Sequence, residues 1–481
     1  MKSQNFPFRV LTFGIILILI LPALLKDGMF MDGLQYACVS KNLAHGQGTF
    51  WQPHLSNTWN KEGNHAFLEH PPLVFGIQSL FFRALGDSRY TERIYSFLTA
   101  LITAWLIAMI WRFVFRKEEK IRNSEWFPVL LWIITPVCFW SYRNNMQENT
   151  MGIFTLAAVY FSLRAVEKSR RYLPNLLLAG IFTVAAVLSK GLPGLFPLAF
   201  IPVYKALHKD FTLRKMLLYW LIFLAIVAAG FSLILLIPGA SESLRFWLFE
   251  RVFSRIESEV TTSNRFDVIW RIFTELIPAL LIAGGLILTG KFRKYNPGNN
   301  YRKQALLFII MGLAGSLPML FTLVQKGFYL VPVFPLFTLG LAAISVPFMV
   351  HFTEKSDPAS GSFRAFRLIT LVFLAGILVF SAMQINKTCR DEEVLSDVYR
   401  LGSVIPEHST AGINRTLYAN WPLQLYLLRY YDINVDPSPV ESPDYFILEK
   451  KDTLPAAAGY RREPLNTLKF DLYRLSAAGS R

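Results

Sequence analysis

Apolar runs recur along this chain near residues 10–25, 94–111, 126–142, 150–163, 174–189, 192–204, 216–237, 270–289, 305–324, 329–350 and 368–385, with short basic clusters between them. Most approach the length needed to cross about 30 Å of hydrocarbon. Inside a bilayer every backbone amide must find its partner within the protein, so a repeated series of such runs restricts the fold to a bundle of spanning helices. The composition agrees: 53% of the residues are hydrophobic, only 17% are charged, and 41 of the 481 are Phe. The expected fold class is an all-α polytopic membrane protein with eleven transmembrane helices, or thirteen if a pair of short spans is added.

The net charge of +16 would suit a nucleic-acid partner if it formed a soluble basic face. Here the Lys and Arg residues sit in tight groups between apolar runs, where they act as orientation signals. A cytoplasmic N-terminus puts "RFVFRKEEKIR", "RAVEKSRR", "KALHKDFTLRK", "KFRKYNPGNNYRK" and "HFTEKSDPASGSFRAFR" all on the cytoplasmic side. Lys2 and Arg9 precede the first run as in a signal peptide, but "LPALLKDG" has no small-x-small cleavage site, so that run reads as a retained anchor. The stretch "HPPLVFGIQSLFFRAL" reads as an interfacial helix, because counting it as a span would invert the next basic cluster. After residue 386 the composition becomes that of a soluble α/β unit, with helix-like "DEEVLSDVYRLGSVI" and "WPLQLYLLRYYD" and strand-like "STAGINRTLY", "DYFILEK" and "FDLYRLS". The expected domains are residues 1–385 in the membrane and 386–481 outside the cytoplasm. Cys38, Cys138 and Cys389 have no metal-ligand spacing and require no disulfide.

This topology gathers unusual acids and bases on the outer leaflet. Asp32 follows the first span, Glu69 and His70 precede Pro71-Pro72, and Glu148 lies in "RNNMQENTM" between two spans. Lys190 occupies "LSKGLPG", the loop "RFWLFERVFSR" carries Arg251 and Arg255, and Lys326 precedes "GFYLVPVFP". Ionisable residues at membrane depth are costly and mark functional sites. Each also has a structural reading: Asp32 can cap the following helix, Lys190 and Lys326 can reach to headgroups, and the arginines can pair with Glu250 and Glu257. Asp32, Glu69, His70 and Glu148 together could hold a divalent metal, although nothing in the sequence requires a cofactor.

In this order and in alternate loops, Asp32 with a following Tyr-Ala, "LEHPPL", Glu148, "LSKG" and "QKGFYLVPVFP" resemble the GT-C fold glycosyltransferases that use polyprenyl-phosphate sugars. The nearest groups are the lipid A aminoarabinose transferases and the protein O-mannosyltransferases. The resemblance implies catalytic roles for Asp32 and Glu148, and substrate binding by Glu69, His70, Arg93, Lys190, Lys326 and Tyr329; Arg251 and Arg255 join the expected substrate-binding set from their place in the outer loop 238–269. Three departures stand out: Gly33 where relatives carry Glu, Glu148 where they carry Asp, and His70 where they carry a Lys facing the donor phosphate. A neutral imidazole supplies less positive charge than an ammonium.

Elementary chemistry suits the class that the resemblance implies. A lipid-linked donor keeps its chain among the helices and its phosphate at the interface, where cations can neutralise the leaving group while a carboxylate deprotonates the attacking hydroxyl. The expected function is inverting sugar transfer from a polyprenyl phosphate to a cell-envelope glycolipid or polysaccharide, or to a protein, on the outer face of the cytoplasmic membrane. The expected partners are therefore that donor, that acceptor and the bilayer, without nucleic acid. Rival readings are a secondary transporter or flippase, which calls for inverted repeats and polar groups at mid-membrane, and a polymerase or ligase of lipid-linked glycans.

Overall fold

The computed structural model describes residues 4–61, 64–253, 260–297, 301–439, 442–452 and 459–476. The chain forms two compact units, one of Met1–Leu24, Glu69–Val74 and Ser96–Gln384, the other of Leu25–Leu68, Phe75–Tyr95 and Ile385–Arg481. Residues after 385, set apart by composition, thus cluster with the first long loop.

In the first unit, eight of the apolar runs become helices long and apolar enough to cross a membrane: Phe6–Leu25, Thr91–Val114, Tyr172–Lys190, Leu213–Leu235, Asp267–Phe292, Arg302–Phe321, Phe334–Glu354 and Gly361–Ala382. The cut between the units falls inside the helix Thr91–Val114. Three runs differ from a simple span. Residues 126–142 break at Thr135, because Pro136 lacks an amide proton and disfavours helical geometry at the residue before it; Trp126–Ile133 and Pro136–Arg143 result. Residues 192–204 hold Pro193, Pro197 and Pro202, and form the 3-10 segment Leu192–Ala199 followed by the short helix Phe200–Leu207. Residues 150–163 lie within Gln147–Glu167, a 21-residue helix with Glu148 and Arg164 near its ends.

Burial separates the inner helices from the outer ones. The most apolar windows of Leu213–Leu235 and Gly361–Ala382 are each only 17% buried, against 61% for Phe334–Glu354. A helix apolar on all sides yet exposed in the folded chain fits contact with lipid, whereas Phe334–Glu354 runs through the bundle interior.

In the second unit a five-stranded sheet has the order β2-β1-β3-β5-β4, built from β1 (Thr410–Ile413), β2 (Asn434–Asp436), β3 (Tyr445–Glu449), β4 (Tyr460–Arg462) and β5 (Phe470–Leu475). β2, β1 and β3 are parallel, while β5 pairs antiparallel with both β3 and β4. The helices Glu392–Gly402 and Trp421–Tyr431 fall where the apolar period predicts them. The strand expected through "STAGINRTLY" stops at Ile413, because Asn414 accepts the Leu417 amide at 2.7 Å and caps a short helical turn, Arg415–Tyr418. Leu34, Phe67 and Phe75 from the first long loop share one core with Leu401, Ile413, Tyr426 and Leu472. Helix Leu73–Leu85, expected at the interface, has 13 residues and spans about 20 Å, too short to cross a bilayer.

Polar anchors hold this unit together. Asp397, fully buried, accepts the amides of Leu468, Lys469 and Phe470 at 2.6, 2.6 and 3.0 Å and so fixes the entry to β5. Arg429, also buried, pairs with Glu92 at 2.6 Å, donates to the carbonyls of Asp87 and Ser88, and stacks on Phe82. Cys38 and Cys389 are free thiols, and burial pushes the Cys38 thiol up to about 12.

Candidate active site

Two helices of nearly equal length, Gln147–Glu167 and Tyr172–Lys190, are joined by a short connection and pack against each other. In such an antiparallel hairpin the first turn of one helix lies beside the last turn of the other. Glu148, second in its helix, therefore meets Lys190, last in the other, with Nζ 3.4 Å from the carboxylate. The acid sits at a positive helix end and the base at a negative one, which favours both charges. Lys190 is thus the last residue of its helix, and Gly191 makes the turn that follows. Glu148 is fully buried, and Asn144, Asn145, Gln147, Asn149 and Thr150 are buried around it. Ser141 and Asn149 bond each other through two hydrogen bonds, of 2.6 and 3.2 Å. So many polar side chains are costly to bury unless they serve a site.

Glu69 forms an ion pair with Arg251. Arg251 belongs to the π-helical segment Trp247–Phe253 that follows helix Ala240–Phe246; π-helical turns occur often at functional sites. The same segment touches the Lys190 turn. Gly191 has φ +110° and ψ −158°, and a Cβ there would fall 2.5 Å from Trp247 Cζ2. Neither the conformation nor the space suits any other residue. Arg251 thus pairs across to Glu69. Arg255 and Glu257 lie outside the described residues.

Lys326 precedes the 3-10 segment Gly327–Val333, which leads into Phe334–Glu354. Its ammonium lies 5.7 Å from the Phe328 ring centroid, and Phe328 stacks on Trp140. Gln325 is buried and fixes this turn by accepting the Val268 amide and donating to the carbonyls of Arg265, Met319 and Thr322. Arg271 is held to Asp267 at 2.7 Å, and a Cβ added at Gly327 would lie 3.2 Å from its Nη1. His70 and Tyr329 are half-buried.

Known proteins share this arrangement of helices. ArnT from Cupriavidus metallidurans, solved bound to undecaprenyl phosphate, superposes with a TM-score of 0.67 at 13% identity, covering 98% of each chain. Its apo form gives 0.64, also at 13%, over 96% of this chain and 97% of ArnT. The chain has the ArnT-like GT-C fold. The Archaeoglobus fulgidus oligosaccharyltransferase tethered to an acceptor peptide is more distant, with a TM-score of 0.50 and 10% identity over 92% of this chain and 69% of that one. A family model described as dolichyl-phosphate-mannose-protein mannosyltransferase matches residues 69–234, the stretch that holds Glu69, Glu148 and Lys190. No curated protein matches by sequence.

In the second unit of this GT-C fold, Asp32 is half-buried in the first turn of helix Met31–Ala44. The residue before the helix is Phe30, so Asp32 is not its cap, and it makes no hydrogen bond or ion pair among the described residues. Arg93 is buried, 3.5 Å from Asp27, and donates to the Lys26 carbonyl. Asp27 also accepts from Tyr399, from Tyr430 at 2.7 Å and from the Gly28 amide at 2.8 Å, and it pairs with Arg89. Burial alone would raise its pKa, but these hydrogen bonds and Arg93 outweigh it, and the carboxyl ends below its ordinary value.

Sequence reasoning missed Asp27, Trp247 and the asparagines flanking Glu148. The run "RNNMQENT", polar between two apolar runs, was the signal for the last group. Among the described residues no three His, Cys, Asp or Glu side chains gather as a metal set. Of the four raised by the sequence, Glu69 and Glu148 already face Arg251 and Lys190.

Proposed function

We propose that this chain is an integral-membrane glycosyltransferase that moves one sugar from a polyprenyl phosphate to a cell-envelope acceptor, a glycolipid or polysaccharide in preference to a protein, on the extracytoplasmic face of the inner membrane. The observation that carries this reading is the buried Glu148–Lys190 pair at one end of a helical hairpin, in a fold that ArnT matches from end to end.

Asp32 is the proposed general base. It is the acid of the set with no partner among the described residues, so its lone pairs are available. It takes the acceptor's hydroxyl proton as that oxygen bonds to C1; the C1–O bond to phosphate breaks, the phosphate leaves with the electron pair, and C1 inverts. Glu148, held by Lys190, positions the acceptor. Lys190, Arg251, His70 and Lys326 offset the charge that grows on the phosphate, with the Tyr329 phenol as a further donor. Arg93 is engaged by Asp27 and stays outside this set.

The test is lipid-linked sugar analysis of a deletion strain. One polyprenyl-phosphate sugar should accumulate while one envelope glycan loses a residue. An unchanged lipid-linked pool with unchanged envelope glycans would reject the transferase reading, and accumulation confined to the inner leaflet would favour a flippase.

A further inference from the structure

The two ion pairs of the site are carried by four separate stretches of chain, and one short segment touches both. Trp247 opens the π-helical turn and Arg251 follows four residues later, so the two side chains leave nearly the same face of the helix. The guanidinium meets Glu69. The six-membered ring of the indole rests on Gly191, where an added Cβ would lie 2.5 Å from Cζ2 and 3.0 Å from Cη2. Trp247 is buried, whereas Arg245, Phe246 and Phe249 on the other side line an open cavity of about 680 Å³. The segment therefore packs on protein through its Trp247 side.

Gly191 immediately follows Lys190, whose side chain extends as a flexible four-carbon stem to Glu148. Such a stem keeps one position only if the backbone at its root is fixed. The left-handed turn at Gly191 costs conformational entropy, and a flat ring pressed on it removes the alternatives. We infer that Trp247 is a positioning residue for donor binding: its indole, seated on Gly191, fixes the Lys190 ammonium where it meets both Glu148 and the incoming phosphate. This rests on the phosphate-binding role proposed for Lys190.

The test measures binding of undecaprenyl phosphate to the full chain in lipid nanodiscs for the wild type, Trp247→Phe, Lys190→Ala and the double variant, with the Tm of each. Phe keeps an apolar ring but lacks the far edge that reaches Gly191. Trp247→Phe should weaken binding about tenfold in the wild-type background and less than about twofold in the Lys190→Ala background, since a residue that acts through Lys190 has nothing left to position. Equal losses in both backgrounds overturn the inference, because a general packing role would be felt in each. So does unchanged binding by the single variant. A folded wild type that binds no undecaprenyl phosphate overturns the donor reading as well, which separates the two failures. Gly191→Ala gives an independent arm: its loss should be partly recovered by adding Trp247→Phe, which removes the clash.

Discussion

At the scale of single residues, the roles divide according to what each carboxylate already touches. Glu148 and Glu69 face cations, whereas Asp32 is free among the described residues. Asp32→Asn should therefore lower transfer on the order of 100-fold or more while leaving undecaprenyl phosphate binding intact; near-wild-type turnover would remove Asp32 from the base role. Lys190→Ala should instead weaken donor binding, raising the donor KM about tenfold or more, and lower kcat as well, because the same ammonium offsets the charge developing on the leaving phosphate. It also leaves Glu148 without that cation in a buried place, so Lys190→Arg is the control that keeps the charge. The acids and bases of the site were legible because charged residues flanked by apolar runs stand out in any sequence. Their pairing was not: which acid meets which base depends on helix lengths and on a π-helical turn, and neither leaves a periodic signal. Asp27 was illegible for a different reason, since its partners Tyr399 and Tyr430 lie hundreds of residues away.

At the scale of elements, the second unit depends on a few buried ionic anchors. Arg429 on helix Trp421–Tyr431 holds Glu92 and two carbonyls of the Asp87–Ser88 turn. Arg429→Met should destabilise this unit by about 3–5 kcal/mol, because Glu92 is left buried without its partner; hydrogen exchange across the helix and Phe75–Tyr95 would report it, and unchanged protection would show the pair to be dispensable. Asp27 links stability to pH. Its folded pKa lies below the ordinary 3.8, so its contribution is fully present above about 3.8 and is lost as pH falls through the depressed folded value. Thermal unfolding of the wild type should thus weaken, as pH falls below about 3.8, by more than that of Asp27→Asn. Equal slopes for the two proteins would mean that other carboxyls carry the acid sensitivity.

At the scale of the whole molecule, eleven apolar runs announced a polytopic bundle, and eight became helices able to cross a membrane. Hydropathy cannot anticipate that Pro136 divides one run or that Pro193, Pro197 and Pro202 shorten another, since proline is apolar enough to pass unnoticed within a run. The orientation proposed for the bundle rests on the basic clusters between helices. Ser124 is buried and would resist labelling on either side, so Lys209, exposed between Phe200–Leu207 and Leu213–Leu235, is the informative position. A cysteine there should escape impermeant thiol reagents in intact cells, and its labelling would invert the map.

The helical hairpin works as a measuring rod. From Glu148 the chain descends one helix, turns and climbs another to Lys190, and the two ends meet only because both arms have matching length. One residue inserted in the middle of Tyr172–Lys190 would advance Lys190 by about 1.5 Å and swing it by about 100° around the helix axis, out of reach of Glu148. The same residue inserted between Glu167 and Tyr172 could be absorbed as slack. Lipid-facing positions along both arms can therefore vary in side chain with little effect on the site, while the number of residues in each arm cannot.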